Sequence, residues 1–89
     1  MISRTTGQFR LLLAQLPAEI QAAAREAYRL FSDNPSHPSL RFKPVQGTRD
    51  VYSARVSYGY RALGLVDGNT VVWFWIGSHA DYDKLLRHR

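Results

Sequence analysis

Apolar residues in the first third of the chain recur at helical spacing. Phe9, Leu12, Leu13 and Leu16 form one stripe in the run that starts at Gly7, and Pro17 ends it. Ile20, Ala23, Ala24, Ala27 and Phe31 form a second stripe, with Pro17 suited to its first turn and Glu19 at its positive end. The prolines and Asn34 of SDNPSHP stop that helix. The two stripes predict a helical hairpin with a joint apolar side.

From Leu40 the period falls to two. Leu40, Phe42 and Pro44 alternate with Arg41 and Lys43 in a short strand over 40–45, so both cations project from one face, and Pro44 confines the strand to an edge. In VYSARVS, Val51, Ser53 and Arg55 share a face opposite Tyr52, Ala54 and Val56. A second strand follows from Tyr60, and Asp67-Gly68-Asn69 turns it into a third. That third strand, TVVWFWIG, is apolar on both sides, as a central strand should be, with Trp73 and Trp75 alternating with Phe74. Ser78 is placed to cap a last helix with Asp81 three residues on, and His79, Tyr82 and Asp83 fall on one side of it.

The expected fold is therefore α+β: an antiparallel sheet of about four strands, a helical hairpin on one face, and a short C-terminal helix, in a single domain spanning 1–89. Met1 to Thr6 reads as either a frayed end or a clipped edge strand.

The turn after Ser57 fixes where the arginines go. A three-residue loop, Ser57-Tyr58-Gly59, with Gly59 left-handed and a bulge, sets Arg55 opposite Arg61, whereas a two-residue loop puts them on opposite faces. The glycine favours the longer loop. Two arginines facing each other repel, which makes sense where an anion sits between them.

Charge sharpens the picture. Twelve Lys and Arg against seven Asp and Glu give a net charge of +5, the footprint of a partner that is nucleic acid or acidic protein. Without cysteine there is no disulfide scaffold and no thiolate metal site. No apolar run approaches the ~18 residues of a membrane span and Met1 to Arg10 lacks a signal-peptide core, so a soluble cytoplasmic protein that engages no membrane is expected.

Three histidines lack the spacing of a metal site, and Gly-rich phosphate loops and nucleophile elbows are absent, so neither metal nor cofactor is expected. What remains is His79, Tyr82, Arg55 and Arg61. Such a set matches metal-free RNA transesterification: a base takes the 2′-hydroxyl proton, cations stabilise the crowded phosphorus, and an acid protonates the departing 5′ oxygen. His37, between two prolines, is stiffly presented in a loop.

The order of two helices followed by HPSLRFKPV, VYSARV, GYRALG and WFWIGSHADYDKLL resembles the RelE/ParE superfamily of bacterial type II toxin–antitoxin toxins, most of all its RelE-like branch. The resemblance runs from about Gly7 to the end. It implies a basic concave face that receives messenger RNA in the ribosomal A site, and a cognate antitoxin that wraps that face. Arg61 matches the family's arginine at the scissile phosphate. Ser53 and Arg55 fall where two basic residues are usual, so only Arg55 keeps the charge. His79 falls where members carry arginine or a histidine acting as acid or base, Tyr82 stands in for a C-terminal tyrosine, and His37 resembles a cleft histidine. Arg41, Lys43, Ser53 and His37 are thus expected to contact RNA, and Arg61, Arg55, His79 and Tyr82 to serve catalysis. The alternatives are a ParE-like DNA gyrase inhibitor, which works by binding, and a basic RNA-binding or ribosome-binding domain without catalysis.

Overall fold

The computed structural model describes residues 1–87; His88 lies outside them. In chain order they form β1 (Ile2–Thr5), α1 (Gly7–Ala14), α2 (Ala18–Asp33), a 3₁₀ turn (Pro38–Leu40), β2 (Lys43–Pro44), β3 (Val51–Ser57), β4 (Tyr60–Asp67), β5 (Thr70–Ser78) and α3 (His79–Arg87). One sheet holds all the strands in the order β1-β5-β4-β3-β2. The pairings from β2 through β5 are antiparallel, whereas β1 lies parallel to β5, from Ile2 beside Thr70 to Thr5 beside Trp73. The architecture is α+β as expected, but the sheet has five strands and is mixed. The fifth strand is the clipped edge at the N-terminus, held to β5 by main-chain bonds at Ile2 and Thr6 that no local pattern announces.

The edge that β1 presents is covered. Its outward carbonyls accept from side chains of the hairpin, Ser3 O from the Tyr28 hydroxyl at 3.1 Å and Thr5 O from Arg10 Nη1 at 2.9 Å. A strand edge with occupied acceptors is a poor template for a foreign strand.

The helical hairpin packs on one face. Thr6 caps α1 by accepting from the Phe9 N–H, and Pro17 stands just outside α2 rather than in its first turn. At the corner, Gln21 Nε2 donates to Leu16 O at 2.9 Å, tying the end of the first helix to the start of the second. Phe31, 1% exposed, is the centre of the core and meets Phe42 and Trp73 edge-on at 4.9 and 5.3 Å. Phe9, Leu40, Ala54, Ala62, Val71 and Ile76 complete it.

The strand expected over 40–45 is shorter than its alternation implies. Pro38 opens the 3₁₀ turn, the His37 imidazole caps it, and Arg41 turns left-handed with φ at 47°, so only Lys43 and Pro44 pair with β3. Burial of Leu40 and Phe42 in the helix-side core, rather than strand pairing, dictates this path.

Two irregularities shape the other face. The β3–β4 pairing slips between Arg55 and Ser57, leaving Val56 as an extra residue, and the β4–β5 pairing slips between Leu63 and Gly64, leaving Phe74 extra. The second slip sends Trp73 into the helix-side core beside Gly64 and Trp75 to the opposite face beside Leu63. The two tryptophans do not form one set. Gly64 and Gly77 are required by this arrangement, since an added Cβ at Gly64 would stand 2.8 Å from the Trp73 ring and one at Gly77 would stand 2.7 Å from the Trp75 ring.

Candidate functional site

Arg55 and Arg61 are direct cross-strand partners. The route differs from the one the glycine favours. Ser57 pairs with Tyr60, so the loop is the two residues Tyr58 and Gly59, Gly59 does not adopt positive φ, and the bulge at Val56 restores Arg55 to the face of Arg61. A bulge and a short loop thus achieve what a longer loop would have done.

The Arg61 guanidinium is partly enclosed. Its Nη1 is buried and, among the described residues, has no hydrogen-bond partner. A buried donor without an acceptor costs about 1–3 kcal/mol, more when charged, and the cost disappears when an anion binds. Gly77 lies opposite Arg61 on β5, and the absence of a side chain there makes room for the Trp75 ring.

Two positions further along, β5 becomes α3. Ser78 caps the helix by accepting from the Asp81 N–H at 3.1 Å, as the sequence predicts. The His79 N–H donates to Gly59 O at 2.7 Å, which pins the start of α3 to the β3–β4 turn. The His79 ring is exposed, lies 3.4 Å from the Asp83 carboxylate through Nε2, and faces the Tyr82 ring at 6.0 Å with an interplanar angle of 24°. Tyr82 in turn leans on Trp75 at 6.4 Å. The strand register therefore places Arg55, Arg61, Trp75, Tyr82 and His79 around one end of the sheet, and of the two tryptophans that the alternation of β5 groups together only Trp75 lies there.

The other expected residues divide. Lys43, exposed on β2, pairs with Ser53 and so shares the face of the arginines. Ser53 itself is 2% exposed and presents no surface to a ligand, contrary to expectation; the exposed cation beside it is Lys43. Arg41 is exposed but stands outside the strand, at the left-handed end of the 3₁₀ turn, so it does not share a strand face with Lys43. His37 is occupied locally: its Nδ1 accepts from the Ser39 N–H at 3.3 Å and lies 2.8 Å from the Ser39 hydroxyl. Arg29, on the outer side of α2, is held between Glu26 and Asp33, and its hydrogen bond keeps the Glu26 carboxyl below its ordinary value. That cation is spent within its helix.

Among the described residues no three His, Asp or Glu side chains gather to hold a metal ion, and no helix is long and apolar enough to cross a membrane.

This fold is that of a known class. Residues 18–84 match the family model of the ParE-like toxin domain, which covers most of the chain. The chain belongs to that family, within the RelE/ParE superfamily of toxin–antitoxin toxins. Solved structures agree. The RelB–RelE complex from Methanococcus jannaschii superposes with a TM-score of 0.76 at 17% identity, over 92% of this chain and 96% of that one. The DinJ–YafQ complex of E. coli gives 0.69 at 15% identity, over 89% and 92%. The RelBE2 complex from Mycobacterium tuberculosis gives 0.63 at 28% identity, over 86% and 95%. A comparison with curated protein sequences finds no match.

Proposed function

We propose that the chain is the toxin of a type II toxin–antitoxin pair and cleaves messenger RNA in the ribosomal A site without a metal. The observation that carries this reading is the Arg61 Nη1, buried and unpartnered beside the opposed Arg55. A scissile phosphate supplies the acceptor that this donor lacks, and offsets the repulsion between the two guanidinium groups.

In the reaction, the 2′-hydroxyl loses its proton and its oxygen attacks the neighbouring phosphorus; the bond to the 5′ oxygen breaks and that oxygen takes up a proton. Arg61 and Arg55 bear the charge that accumulates on the phosphoryl oxygens. His79 is the proton-transfer group, as acid or base, and its 3.4 Å approach to Asp83 orients the ring. Tyr82, braced by Trp75, positions the nucleotide. Lys43 and Arg41 contribute exposed positive charge to the RNA path.

The partner is a cognate antitoxin. The relatives named above were solved as toxin–antitoxin complexes, and a surface of net charge +5 favours an acidic or amphipathic segment. The ParE-like family model favours a second reading, inhibition of DNA gyrase by binding.

The test is a cell-free translation reaction with added protein, followed by primer extension on the message. New 5′ ends that need the ribosome and vanish with Arg61→Ala or His79→Ala support cleavage. Intact message with unimpaired translation moves the chain to gyrase, and intact message with stalled translation to a ribosome partner that only binds.

A further inference from the structure

Tyr58 stands at the tip of the β3–β4 turn with 92% of its surface in solvent. Packing does not explain it. The ring belongs neither to the cluster of Phe31, Phe42, Tyr52 and Trp73 nor to that of Trp75, Tyr82 and His79. It does meet the Arg55 guanidinium, whose Cζ lies 5.9 Å from the ring centroid.

The tip itself is fixed. The main-chain bond from His79 to Gly59 and the pairing of Tyr60 with Ser78 tie it to the start of α3. Arg55 connects the ring to the phosphate position, since its cross-strand partner is Arg61. A guanidinium stacks through its face and donates through its edge at the same time, so Arg55 is suited to both neighbours together.

We propose that Tyr58 is a stacking platform for the nucleobase adjacent to the phosphate held by Arg55 and Arg61. The inference rests on the RNA reading given above. The free face of the ring accepts any base, because every base has a π face, so the contact adds affinity with little preference for sequence. Cation, ring and phosphate then grip the strand at a base and at its backbone within one hairpin.

The experiment measures retention on ribosomes programmed with a message that carries 2′-O-methyl groups at the A-site codon, which blocks cleavage. The parent, Tyr58→Leu, Tyr58→Phe and Arg61→Ala are compared, with circular dichroism to verify folding. We expect Tyr58→Leu to bind roughly tenfold or more weakly, Tyr58→Phe to restore what leucine loses, and Arg61→Ala to weaken binding separately. If Tyr58→Leu binds as tightly as the parent while Arg61→Ala is weakened, the stacking role is overturned, the phosphate site stands, and Tyr58 is left to a protein partner. Equal losses with leucine and phenylalanine also overturn it, since the ring would then not be what matters. No retention of the parent overturns both readings.

Discussion

Arg55 faces Arg61 across the β3–β4 ladder because one extra residue, Val56, compensates for a two-residue turn. Like charges in that position cost stability, and the buried Arg61 Nη1 adds to the cost. Arg61→Met, which keeps the stem and removes the charge, should therefore raise the unfolding free energy by about 1 kcal/mol. The same change should lower message cleavage by roughly a hundredfold or more. Urea denaturation and primer extension measure the two effects, and a variant that is both less stable and fully active would contradict this account.

Removing Val56 tests the bulge directly. The deletion should leave Arg55 opposite Arg61 and the two-residue turn unchanged, because Ser57 already pairs with Tyr60, and should straighten β3 at that point. The expected outcome is a protein that still melts cooperatively but cleaves less well by primer extension, since the bulge's local twist around the arginines is lost, whereas Val56→Ala should retain the bulge and lose only packing.

Phe31 holds the helical hairpin to the sheet through its edge-on contacts with Phe42 and Trp73. Phe31→Ala should cost about 3–5 kcal/mol, a large part of the stability of a domain this small. A substitution of comparable size at exposed Leu11 should cost less than about 1 kcal/mol.

Gly77→Ala should displace the Trp75 ring, because the new methyl group would lie 2.7 Å from it. Trp75 braces Tyr82, so the near-ultraviolet circular dichroism and tryptophan fluorescence should change together with cleavage, while far-ultraviolet signals persist. Gly64→Ala crowds Trp73 and Val71 instead and should mainly destabilise, by about 1–3 kcal/mol.

The edge of β1 gives a prediction about association. Tyr28→Phe combined with Arg10→Leu frees the carbonyls of Ser3 and Thr5. The double variant should show concentration-dependent association by sedimentation, which the parent should not at the same concentration.

Much of this molecule was legible before its coordinates. The stripes at Phe9 and Phe31, the Ser78 cap, the grouping of His79, Tyr82 and Asp83, and the opposition of Arg55 and Arg61 all arise from interactions within a few residues or across one turn. What the sequence hid depends on distant neighbours. The parallel docking of β1 is set by β5, some seventy residues away. The left-handed Arg41 follows from how Leu40 and Phe42 reach the core, and a bulge leaves no mark on an alternation that is apolar on both sides, as β5 is.

That last bulge has an evolutionary consequence. A single inserted position at Phe74 assigns one tryptophan to the interior and the next to the site, so the two roles are separated by two residues of the same strand. Changes that repack around Trp73 should therefore be felt along β5 at Trp75 and Tyr82. Variants of this protein selected for a new partner or target should carry paired changes on both sides of the fifth strand, one set around Trp73 and one around Trp75.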